Sequence, residues 1–104
     1  MRSETWYVYI ARCADGSLYT GIARNVVERL AKHDAGKGAR YTRGRGPLTL
    51  CAVRRCASQS AALRLELQVK RLDRAQKELL TDPSRFRAFA RRALRAGRTR
   101  RRTS

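Results

Sequence analysis

The sequence predicts an α+β domain, a small three-stranded antiparallel sheet flanked by helices in the order β-β-α-β-α-α. Three observations carry that reading. Two aromatic and β-branched runs flank the turn signal Asp15-Gly16, which is the pattern of a hairpin. A third β-rich run covers residues 48–55. Between and after these, apolar residues recur at helical spacing.

The first strand is expected over residues 6–12 and the second over 18–22. Asn25, with Glu28 three positions later, is a capping-box pattern and starts a helix over 26–34 that stops by Gly36. The segment "GKGARYTRGRGP", residues 36–47, is rich in glycine and basic residues and reads as a basic loop. Ser58 or Ser60 caps a second helix carrying Ala62, Leu63, Leu65, Leu67, Val69 and Leu72. It breaks near Asp73 before a short helix through Leu80. A last amphipathic stretch follows Pro83, with Phe86, Phe89, Ala90 and Leu94 on one side. The expected division is a domain over 1–82, a basic helix over 83–96 and a disordered arginine-rich tail over 97–104.

At 104 residues the chain is long enough for one core and too short for two. Lys and Arg number 25 against 8 Asp and Glu, a net charge of +17, so the expected partner is a polyanion. Nucleic acid is favoured because neutralising phosphates releases condensed counterions and arginine forks match phosphate oxygens. A membrane partner is not expected: no stretch approaches the ~20 apolar residues of a spanning helix, and the N-terminus lacks signal-peptide form. Cys13, Cys51 and Cys56 form neither an even framework nor a CxxC pair. They read as reduced thiols in a cytoplasmic protein.

Glu66 lies about 40° from Ala62 on the second helix, inside the apolar arc. A buried carboxylate needs a cation, and two readings remain open: a structural ion pair with an arginine, or a divalent metal held in a cleft. On the first helix, Val26, Val27, Leu30 and Ala31 are expected to face the core. Arg29 and His33 then lie at i and i+4 along one edge of that face.

Tyr7-Val8-Tyr9, then Tyr19-Thr20-Gly21, then Arg29, His33 and a helical Glu66 together resemble the GIY-YIG nuclease superfamily over about residues 5–80. Within it, "YTG...RNVVERLAKHDAGKGARYT" is most similar to small single-domain members related to structure-specific DNA endonucleases. The resemblance implies a metal-dependent DNA endonuclease, with branched or distorted DNA as its target. Tyr9 and Tyr19 match the family's catalytic tyrosines, Arg29 its catalytic arginine, His33 a histidine found in several branches, and Glu66 the metal-binding glutamate. One Mg²⁺ or Mn²⁺ ion is implied. Either tyrosine could be the base. The first motif has Tyr7 in place of its glycine, the second has Thr20 in place of isoleucine, and Ile22 stands where some repair-type members carry lysine.

A two-residue turn would pair Tyr19 with Arg12 and put it on the face opposite Tyr9. An odd-length loop with Gly16 or a neighbour in a left-handed conformation, taken as residues 15–17, pairs Tyr19 with Cys13 and brings both tyrosines to one face. Arg40, Tyr41, Arg43 and Arg45 of the basic loop are expected to contact nucleic acid, with Lys70. Target selection then rests on this loop, the tail or a protein partner. Two other readings stay open: a nucleic-acid binder that kept the fold and lost efficient turnover, and a basic accessory protein for RNA or ribosomes.

Overall fold

The computed structural model describes residues 5–35 and 46–103. The strands are β1 (Trp6–Arg12), β2 (Leu18–Ala23) and β3 (Thr49–Cys56), and the helices α1 (Val26–Asp34), α2 (Gln59–Lys70), α3 (Arg74–Leu79) and α4 (Pro83–Thr103). All pairing is antiparallel, in the order β2-β1-β3.

β1 is central and buries both faces, as its side-chain alternation requires. Val8 and Ile10 pack on one face with Ala62, Leu65 and Val69 of α2 and with Phe86 and Ala90 of α4. Tyr9, Ala11 and Cys13 form a second cluster with Ala23 and Leu48, against which Val26 and Leu30 of α1 pack. The domain therefore has helices on both sides of a thin sheet.

The hairpin loop is odd in length, as expected, but its register differs by two residues. Tyr19 lies opposite Ala11, and Tyr9 opposite Gly21. The Cys13 N–H donates to Ser17 O and the Gly16 N–H to Cys13 O, so the loop residues are Ala14, Asp15 and Gly16 rather than 15–17. Gly16 has φ +89°, a left-handed conformation that suits glycine. The Asp15 carboxylate accepts from the Ser17 amide and hydroxyl, which fixes this turn in place of one over residues 15–17.

On β3, Ile10 lies opposite Ala52 but Ala11 lies opposite Leu50, leaving Cys51 as the extra residue of a bulge. Asn25 accepts from the Glu28 amide to cap α1, and Ser58 rather than Ser60 caps α2. Asp73 and Gln76 form a reciprocal capping box where α2 gives way to α3. Arg12 of β1 holds Glu78 of α3 with both guanidinium branches at 2.8 and 3.0 Å.

One expectation about the helices needs correction. α1 does not turn Val27 and Ala31 inward: Val27 is 79% exposed, and the packing face is Val26, Leu30 and His33. That stripe follows i, i+4, i+7. α4 runs from Pro83 to Thr103. Arginine is a good helix former, and over residues 97–103 only Gly97 is a poor one.

Candidate active site

Tyr9 and Tyr19 share one face of the sheet because each lies opposite a small residue that faces the same way. Their ring centroids are 6.2 Å apart and tilted by 48°. Gly21 makes the space. A Cβ there would stand 2.7 Å from the Tyr9 hydroxyl, 2.8 Å from its Cζ and 2.9 Å from Cε2 of Tyr19.

His33 closes the cluster from α1. Its Nε2 shares a 3.1 Å hydrogen bond with the Tyr9 hydroxyl, and its ring meets Tyr19 edge-on at 5.1 Å. Rather than sitting at the edge of the helix face, His33 is only 2% exposed. Burial, then Arg29, hold its pKa below the ordinary 6.5, against a smaller opposing pull from Asp34. The imidazole is therefore neutral at pH 7, one nitrogen carrying a proton and the other a lone pair.

Both phenols are pushed the other way. Burial raises Tyr9 well above 10.0; the Tyr19 ring adds to this, Arg29 opposes it, and Glu66 adds to it again. For Tyr19, burial again raises the value, Lys70 lowers it, Glu66 raises it and Arg29 lowers it. Tyr9 is 1% exposed, whereas Tyr19 is only partly buried. Of the two phenols, Tyr19 is thus the more accessible and the one acted on by two cations.

Arg29 lies one turn before His33 on the exposed side of α1. It lines a groove of ≈ 190 Å³ with Trp6, Arg24 and Lys32. From α2, Glu66 acts electrostatically on both phenols. Its side chain is 18% exposed and binds the Lys70 ammonium at 3.2 Å across one helical turn. The cation that this carboxylate requires is a lysine of its own helix, where the sequence pointed to an arginine or a metal. Lys70 itself is half-exposed at 51%.

The structure thus gathers Tyr9, Tyr19 and His33 in contact, with Arg29 and Glu66 in electrostatic range. Arg40, Tyr41, Arg43 and Arg45 lie outside the described residues. Sequence reasoning missed the pairing of Lys70 with Glu66, although the i, i+4 spacing signals it. It also missed the space-making role of Gly21, which only the correct register reveals.

Glu66, which pairs with Lys70, is the carboxylate near the phenols that could hold a metal ion. Among the described residues, no three His, Cys, Asp or Glu side chains converge, so the donor set is one carboxylate. That set fits a hard ion such as Mg²⁺, which keeps several waters and takes further oxygens from phosphate. It does not fit a closed zinc cage.

A thin antiparallel sheet thus carries two phenols, an imidazole, a guanidinium and a carboxylate contributed by β1, β2, α1 and α2. The GIY-YIG catalytic domain matches residues 5–79, and the chain belongs to the GIY-YIG family. Within it, the chain is similar to UPF0213 proteins. One from Natronomonas pharaonis is 54% identical over 74 residues, covering 71% of this chain and 87% of the relative. One from Yersinia pestis is 49% identical over 80 residues, covering 77% and 84%. A UPF0213 protein from Bacillus halodurans, solved by solution NMR, is 51% identical, covers 73% of this chain and 81% of its own, and has a TM-score of 0.49. Among the described residues, no helix is long and apolar enough to cross a membrane.

Proposed function

We propose that this chain is a metal-dependent DNA endonuclease acting on branched or otherwise distorted DNA. The observation that carries the reading is the packing of Tyr9 and Tyr19 on one sheet face against a neutral His33, in a chain of a nuclease family.

Tyr19 is the general base. It is the more accessible phenol, and Arg29 and Lys70 both favour its ionised form. As water attacks phosphorus in line, its proton passes to the phenolate form of Tyr19, which burial disfavours and which Arg29 and Lys70 support. The new P–O bond forms while the bond to the 3′ oxygen breaks, and that oxygen takes a proton from solvent. Arg29 places positive charge beside the phosphoryl oxygens, where negative charge builds up. Tyr9 and His33 hold the Tyr19 ring, and the Tyr9 hydroxyl and His33 Nε2 share the hydrogen bond that joins them. Glu66 would hold the divalent ion, releasing Lys70 to the substrate; the ion, when bound, supplies charge stabilisation and acidic water.

The test is incubation with plasmid, nicked, flap and branched DNA in Mg²⁺ or Mn²⁺. Wild type is expected to cut. Glu66→Ala and Arg29→Ala are expected to lose cleavage and retain most DNA binding, and wild-type cutting by both variants overturns the mechanism. The raised phenols and the occupied Glu66 favour one second reading, a nucleic-acid binder of the same fold that no longer turns over. An inactive wild type that still binds DNA would select it.

A further inference from the structure

A second basic feature lies away from the tyrosines. Five arginines, Arg54, Arg55, Arg64, Arg91 and Arg95, line a groove of ≈ 450 Å³ between the end of β3, the start of α2 and α4. Its floor is apolar, from Ala61, Ala90 and Leu94, and among the described residues no acidic one lines it. Among the described residues, none of these arginines forms an ion pair. Arg64 makes a 3.2 Å hydrogen bond to Ser60, which holds it at the α2 end of the groove.

So many uncompensated guanidinium groups repel one another in the folded chain. A row of phosphates removes that repulsion and matches the forked geometry of each donor. Position adds the rest. Cys56, Ala61, Ala90 and Leu94 belong to the core beneath the α2 and α4 helices, whereas Tyr9 and Tyr19 belong to the cluster on the other sheet face. One straight duplex cannot lie against both faces of a sheet at once.

We infer that this groove is a second nucleic-acid site, holding the phosphate backbone of an arm that turns or branches away from the stretch at the tyrosines. The choice of an arm rests on the nuclease reading; phosphate binding in the groove does not.

The experiment is fluorescence anisotropy of the full chain with a labelled straight duplex and a labelled three-way junction over a range of NaCl. The proteins are wild type, Arg64→Ala/Arg91→Ala and Arg64→Lys/Arg91→Lys. All of these arginine positions are exposed, so the fold tolerates them. For the junction, the double alanine variant is expected to lower the slope of log K against log[salt] by about 2, at ~0.9 per lost phosphate contact. The double lysine variant restores most of the slope, and the duplex loses less than half as much. Anisotropy reads binding without cleavage, so a wild type that fails to cut leaves these slopes as expected, which separates failure of the groove from failure of the nuclease site. An unchanged slope on the junction, as a groove for an acidic protein would give, overturns the inference. So does an equal loss on both DNAs.

Discussion

Gly21→Ala tests the geometry of the site most directly. The added Cβ would lie 2.8 Å from Cζ of Tyr9 and 2.9 Å from Cε2 of Tyr19, whereas unstrained carbon contacts fall at ~3.5–4.0 Å. Each ring must retreat by roughly 1 Å. Tyr9 has little room to do so, being 1% exposed and bonded to His33 at 3.1 Å. Crowding of this kind costs about 1–3 kcal/mol, which at ~4–8 °C per kcal/mol lowers Tm by roughly 5–25 °C. A displacement near 1 Å in a catalytic group can lower cleavage about 100-fold.

The assay pairs thermal unfolding with DNA cleavage measured well below the variant's Tm. Gly16→Ala is the control. Its φ of +89° makes an alanine strained, yet no atom stands within 4 Å of the added Cβ, so its cost is the ~1–2 kcal/mol of a left-handed alanine. Gly16→Ala is expected to lose stability and keep cleavage per folded molecule, whereas Gly21→Ala loses both. Wild-type stability and cleavage in Gly21→Ala would refute the reasoning that the two phenols depend on this gap.

Acid stability follows from His33. Its folded pKa lies below 6.5, so the unfolded chain takes up the proton first, and stability present above pH 6.5 is lost as pH falls toward the folded value. Urea midpoints at pH 7.5 and 5.5 should drop further in wild type than in His33→Gln; equal drops contradict this. Alkaline stability follows from the tyrosines, whose folded values exceed 10.0: stability present below pH 10 is lost as pH rises above it. Tyr9→Phe should flatten that loss, as read by urea midpoints at pH 9 and 10.5. Deleting residues 98–104 should weaken binding to every DNA sequence and flatten its salt dependence, measured by anisotropy; a sequence-selective loss contradicts a purely electrostatic role.

Local chemistry made most of the fold legible. Asp15-Gly16, Asn25, Ser58 and Asp73 each mark a turn or cap that forms from neighbouring residues alone, and each occurs where it was expected. The errors arise where distant parts decide. Val27 and Ala31 fit an apolar stripe as well as His33 does by hydrophobicity. α1 turns His33 inward because the Tyr9 hydroxyl across the sheet satisfies its polar nitrogen, a partner 24 positions away in the chain. The hairpin register shows the same limit: parity followed from the need for an odd loop, but the choice between two odd loops rested on the Asp15 carboxylate binding Ser17.

Tyr9 is a core residue and Tyr19 packs against it, and both belong to the candidate site. Burial that stabilises the second cluster also favours the protonated phenols, a cost that a base at Tyr19 has to overcome. The opposing cations come from separate elements, Arg29 on α1 and Lys70 on α2, and of the two phenols only Tyr19 feels both. Lys70 is in turn bound to Glu66, so its pull on Tyr19 is shared with a carboxylate that pushes the other way. A cation drawn to Glu66 would cancel that push and free the ammonium toward the phenol and the phosphate. The i, i+4 pair on α2 thereby links occupancy of Glu66 to the ionisation of Tyr19, and the two arms of the pair have to be altered separately to see it. Lys70→Met should leave Glu66 available and slow cleavage through Tyr19 alone, shifting the alkaline limb of the pH–rate profile upward. Glu66→Gln should abolish the dependence on divalent ion; a Lys70→Met profile that superimposes on wild type would break the link.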